Sequence, residues 1–118
     1  MQYMLLIYGD QSRELSDEER GQIFQAYGAF TEDLKRSGKM IAGDALQPAD
    51  TATTVRVQND ETLTTDGPFA ETKEQLGGYY LIEADSLDEA IEWAAKIPGA
   101  RHGSIEVRPI MVFSEAPA

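Results

Sequence analysis

The chain has 118 residues, 42% of them hydrophobic, which suits one domain that buries roughly two thirds of its unfolded surface but leaves too little for two independent cores. Its 21 acidic against 10 basic residues give a formal net charge of -11, a field that repels phosphate backbones and anionic headgroups, so neither nucleic acid nor a membrane surface is an expected partner. The absence of cysteine excludes disulfides, thiolate metal sites and cysteine nucleophiles, and no apolar run approaches the ~18 to 20 residues of a membrane span.

Tyr3 to Tyr8 reads as a first strand closed by Gly9-Asp10. That apolar start carries neither a basic leader nor a small-residue cleavage pattern, so it is read as strand and not signal peptide, with cytoplasmic residence as the default expectation. Ser16 followed by Asp17, Glu18 and Glu19 has capping-box spacing and predicts a helix start. Ile23, Tyr27, Phe30 and Leu34 then recur on one helical stripe until Ser37-Gly38. A strand follows over Lys39 to Leu46, with Gly43 permitting a bulge or a close backbone approach.

Thr53 to Gln58 and Thr62 to Thr65 flank the polar Asn59-Asp60-Glu61 and predict a hairpin. Tyr79 to Ala84 is a further strand. Ser86 to Glu89 repeats the capping-box spacing ahead of a second helix, whose stripe is Leu87, Ala90, Ile91, Ala94 and Ala95 and whose end is Pro98-Gly99. Ser104 to Val107 supplies the last strand, with a continuation towards Phe113 left open past Pro109. The order resembles the α+β, ferredoxin-like split βαβ arrangement with an extra hairpin, both helices lying on one face of an antiparallel sheet.

Two helices cover one face only, yet the first strand is apolar on both: Tyr3, Leu5 and Ile7 on one side, Met4, Leu6 and Tyr8 on the other. Tyr79/Leu81 and Tyr80/Ile82 repeat this. A second copy of the chain is the expected cover, giving a homodimer. The alternative is a monomer in which residues 66 to 76 and the C-terminal tail fold over the face.

The densest motif is Asp66-Gly67-Pro68-Phe69-Ala70-Glu71-Thr72-Lys73-Glu74-Gln75-Leu76-Gly77-Gly78. In it Asp66 can accept from backbone amides beyond it, Gly67 can take angles closed to other residues, Pro68 fixes the next turn position, and Phe69 is expected to anchor the turn in the core. A carboxylate at a strand end can also exchange a proton, so Asp66 is equally a catalytic candidate. Lys73 between Glu71 and Glu74 reads either as a solvated charged loop or as a substrate clamp. Arg56, Glu106 and Arg108 sit at alternate strand positions that would face the space between two sheets and pair with Asp44, Asp66 or Glu106, or else occupy wet edges.

This motif resembles the signature of the DGPF subgroup of YCII-related proteins, and the resemblance runs from Met1 to about Phe113. It implies a single YCII-related domain over 1–118, a dimeric α+β barrel, and a link in some members to extracytoplasmic-function sigma factors. Some better-studied members carry a first-helix histidine proposed as half of a His-Asp pair. Here Tyr27 stands near that place, and the sole histidine, His102, lies in a connector after the second helix.

No metal-ligand spacing, nucleophile elbow or phosphate-cradling loop is present, so no metal or cofactor is expected. The first functional reading is a small-molecule binder or cofactor-independent enzyme. Asp66 and Lys73 are its catalytic candidates, and Phe69, Glu71, Glu74, Tyr79, Arg56 and Arg108 its substrate contacts. The second is an accessory protein meeting a sigma-factor-linked partner, and the third a dimer whose signature only secures the fold.

Overall fold

A computed structural model describes residues 1–113. Strand β1 (Gln2–Gly9) leads through helix α1 (Asp17–Arg36) to β2 (Met40–Ala45). The hairpin β3 (Thr53–Gln58) and β4 (Glu61–Asp66) follows, then β5 (Gln75–Glu83), α2 (Leu87–Lys96), a 3-10 turn at Pro98–Arg101 and β6 (Ser104–Pro109). The main sheet has the order β2-β5-β1-β6, every neighbour antiparallel. β1 and β2 are therefore parallel and separated by β5, while β5 and β6 are parallel and separated by β1. Each helix thus bridges two strands that do not pair, which is the split βαβ connection twice over.

Both helices start where the hydroxyl spacing places them. At α1 the Ser16 hydroxyl accepts from the Glu19 N–H at 3.1 Å, and the Glu19 carboxylate accepts from the Ser16 N–H at 3.2 Å. At α2 the Ser86 hydroxyl caps Glu89, but the Glu89 carboxylate reaches one residue further back to the Asp85 N–H. Lys39 lies 3.6 Å from Asp85 and 3.4 Å from Glu89, fastening the start of β2 to the start of α2. Burial pulls the Lys39 ammonium down, but the charges of those two carboxylates outweigh it and its pKa rises.

The core lies between the helices and one face of the sheet. Leu5, Leu34 and Ile82 are fully enclosed, with Tyr3, Phe30, Tyr80, Ala84, Ala90, Ala94 and Ile97 around them. Phe30 meets Tyr80 and Trp93 edge-on at centroid distances of 5.0 and 6.1 Å. The other face carries cross-strand rows Ala42-Leu81-Met4-Arg108 and Asp44-Tyr79-Leu6-Glu106, with Leu76 opposite Tyr8. Neither α1 nor α2 lies on that side.

The hairpin stands apart. β3 and β4 pair only with each other, and Val55 and Val57 are 59% and 65% exposed. Its turn is two residues long, Asn59 and Asp60 both at positive φ, which is tighter than the three-residue turn expected; two left-handed residues match the twist of the flanking strands. The molecule is a slab of 49 × 48 × 18 Å whose radius of gyration, 16.7 Å, exceeds the roughly 13.5 Å of a globular chain of this length.

Two glycines of the signature answer to backbone geometry. Gly67 has φ of +101° and closes the hairpin base, its N–H donating to the Ala52 carbonyl at 2.7 Å. Gly78 lies so close under β2 that a Cβ there would stand 2.9 Å from the Asp44 carbonyl oxygen. β5 begins at Gln75 and not at Tyr79, so the end of the signature is strand, with a bulge opposite Ile7/Tyr8.

Candidate functional site

A pocket of about 420 Å³ opens between α1 and the sheet at its β2–β5 side. The helix contributes Tyr27 and Thr31, four residues apart on one flank. The sheet contributes Tyr80, Gly43, Gly77 and Gly78, and Gln11 closes one end. A Cβ at Gly43 would stand 2.8 Å from the Tyr80 ring and one at Gly78 2.9 Å from the Asp44 carbonyl oxygen, so close packing keeps side chains off the floor there.

The polar groups on the helix side are hydroxyls, one hydrogen-bonded pair and a third bonded to the backbone. Thr31 Oγ1 and the Tyr80 hydroxyl are 2.8 Å apart, and the Tyr27 hydroxyl accepts from the Gly99 N–H at 3.1 Å. Burial pushes the Tyr27 phenol up, against the opposing pull of the Gly99 hydrogen bond, so it stays a neutral donor at and above neutral pH. Gln11 Oε1 accepts from the Ala49 N–H at 2.7 Å, tying the loop after β1 to the connector after β2. On the opposite, uncovered face the Tyr79 hydroxyl donates to Asp44 Oδ2 at 2.7 Å, and that carboxylate's hydrogen bond and charge raise the Tyr79 pKa.

The signature residues divide between places. Asp66 ends β4 opposite Thr53 and is exposed; no amide among the described residues donates to its carboxylate. The Asx-type bonding expected there occurs instead at Asp10, which accepts from the Ser12 N–H and hydroxyl at 3.0 and 2.6 Å. Those bonds hold its carboxyl below the usual range. Phe69 is 80% exposed and anchors nothing, because Gly67-Pro68 carries the chain outward from the hairpin base. Glu71 and Lys73 are exposed on the same loop. Glu74 accepts from the Ser104 hydroxyl at 2.8 Å and so clips the loop to β6.

Arg56 faces Leu63 on the hairpin and Arg108 lies opposite Met4 on β6. Neither makes an ion pair with Asp44, Asp66 or Glu106 among the described residues, whose four salt bridges lie elsewhere. Glu106 accepts from the Tyr8 hydroxyl at 3.3 Å. Burial first, then the Glu106 charge and hydrogen bond, raise the Tyr8 pKa, partly offset by Arg108. His102 is exposed behind α2. No three His, Asp or Glu side chains converge as a metal site among the described residues.

Of the catalytic and substrate-contact candidates, Tyr79 alone lines the pocket, together with Asp44 and the signature's Gln75, Gly77 and Gly78. Tyr27, Thr31, Tyr80 and Gln11 were not candidates. The Tyr27/Thr31 spacing of four places both on one flank of the helix, a signal that the apolar stripe obscures because Tyr27 belongs to both.

A family model described as the YCII-related domain matches residues 1–114. An uncharacterised protein of Rhizobium meliloti (strain 1021) is 40% identical over 117 residues, covering 96% of this chain and 94% of that protein.

Proposed function

The chain belongs to the YCII-related domain family, and from that premise we propose that it is a homodimeric small-molecule-binding protein, taking an uncharged organic compound with a carbonyl or hydroxyl group into the pocket between α1 and the β2–β5 side of the sheet. The observation that carries this reading is the set of three neutral hydroxyls, from Tyr27, Thr31 and Tyr80, on the wall of an about 420 Å³ pocket with an aromatic and glycine lining. Such a wall gives and accepts hydrogen bonds without charge, and the volume suits a metabolite of modest size. Binding is favoured over catalysis because the Asp44 carboxylate lies with Tyr79 on the uncovered face, and His102 lies outside the pocket. The accessory reading, with a sigma-factor-linked partner, rests on the family resemblance alone.

Two observations support the second copy. The uncovered sheet face carries Met4, Leu6, Leu76, Tyr79 and Leu81. The accessible surface is 8688 Å², against roughly 6,300 Å² for a globular monomer of 13.0 kDa. That excess, on the order of 2,000 Å² per subunit, is shared between the uncovered face and the protruding hairpin, and covering it is in the range of obligate homodimers. Leaving apolar area wet costs about 25 cal/mol per Å².

The test is a fragment screen by two-dimensional amide NMR, using small carbonyl and phenolic compounds. Expected hits shift the amides of Thr31, Gly43, Gly77, Gly78 and Tyr80 together. Thr31→Val, which removes one hydroxyl, weakens them about fivefold, the equivalent of ~1 kcal/mol. Hits that map elsewhere, or an affinity indifferent to Thr31→Val, contradict the reading.

A further inference from the structure

A second concavity, about 1190 Å³, runs between α1 and α2 on the side away from the sheet. It shares only Tyr27 with the pocket above. Its floor is apolar and aromatic: Ala26 and Ala29 keep the α1 wall low, while Phe30 and Trp93 meet edge-on beneath it. Its rim is cationic. Arg13, Arg36, Lys96 and Arg101 line it, which is four of the chain's ten basic residues, together with the sole histidine, His102. Asp33 is the one acidic residue there among the described residues, and Arg36 already holds it at 2.7 Å.

In a protein of net charge -11 this segregation is what matters. Arg13, Lys96 and Arg101 form no salt bridge among the described residues, although carboxylates are twice as numerous as cations. They come from three separate segments: the loop before α1, the last turn of α2 and the 3-10 turn after it. Lys96 stands 4.8 Å from the Trp93 ring centroid, which places positive charge directly beside the aromatic floor.

We propose that the α1–α2 groove is a binding site for an organic anion with a flat apolar body, an aromatic carboxylate or sulfonate in chemical class. The body lies on Phe30 and Trp93, and the anionic group sits among Arg13, Lys96, Arg101 and His102. The acidic remainder of the surface repels such anions and leaves this groove as the place where they are held. The site is distinct from the neutral-ligand pocket, since the two share only Tyr27 and differ in the charge they select.

Trp93 is the only tryptophan in the chain, so its fluorescence reports the groove directly. The probe is 8-anilinonaphthalene-1-sulfonate, compared with N-phenyl-1-naphthylamine, which has the same rings and no sulfonate. The sulfonate is expected to quench Trp93 at micromolar concentration and the neutral amine to bind at least tenfold more weakly. Lys96→Glu with Arg101→Glu should weaken the sulfonate at least tenfold. Arg20→Glu with Lys35→Glu changes the net charge equally outside the groove and should leave its affinity within about twofold. Equal affinity for the two dyes, or equal losses in the two double variants, overturns the proposal; both pairs are exposed, so folding is checked simply by circular dichroism.

Discussion

Leu5 and Leu6 are neighbours in β1 and of the same residue type, yet one is fully enclosed beneath the helices and the other lies on a face that no helix covers. The same division separates Ile82 from Leu81 in β5. On the covered side the apolar residues meet Phe30, Leu34, Ala90 and Ala94 and form a core complete within one chain. On the other, equally apolar residues are shielded only by neighbouring strands. Stability of the subunit should therefore come from one face, and association from the other.

The largest effect should follow Leu5→Ala, which opens a cavity in the enclosed core. A loss of ~2 to 5 kcal/mol in denaturant unfolding is expected, independent of protein concentration. A loss that instead depends on concentration would erase the distinction between the faces. Leu81→Asp on the uncovered face is expected to do the converse: the subunit keeps its far-ultraviolet circular dichroism, while self-association weakens by a factor of about 100 or more, because a charge is brought into an apolar contact. An unfolded Leu81→Asp chain would show that this face, too, is needed within the subunit.

Smaller changes sharpen the same contrast at its edges. Ser16→Ala removes the hydroxyl that caps α1, the helix roofing the enclosed core, and should cost ~1 kcal/mol in unfolding. The partner residue Glu19 has its pKa lowered by the backbone and side-chain hydrogen bonds of Ser16. The sign follows directly: its contribution is present above the ordinary value of 4.5 and is lost as pH falls through the lowered one. The penalty of Ser16→Ala should therefore shrink in acid, which urea melts at neutral and acidic pH will read. Tyr80→Phe removes the bond to Thr31 at the core's edge and should cost ~0.5 to 1.5 kcal/mol, again without concentration dependence.

Much of the architecture is legible in local chemistry. Ser16 and Ser86 mark both helix starts because a hydroxyl three residues ahead of a carboxylate satisfies amides that a helix cannot. The period-two pattern of β1 and β5 shows both faces to be apolar from sequence alone. The site is harder to read, since the pocket's hydroxyls come from residues 27, 31 and 80, brought together only by the packing of α1 on β5. Sequence drew attention to Asp66, Phe69 and Lys73, where backbone demands concentrate, but those demands belong to the base of a protruding hairpin. Phe69 shows the reason: an aromatic next to a tight turn is read as an anchor, and its exposure depends on where the turn points, which local spacing does not encode.

The most direct measurement is sedimentation velocity of the unmodified chain at low micromolar concentration. A single species of twice the 13.0 kDa subunit mass is predicted, with Leu81→Asp returning it to one subunit. A chain that sediments as one subunit throughout, with Leu81→Asp leaving its mass unchanged, would contradict the account.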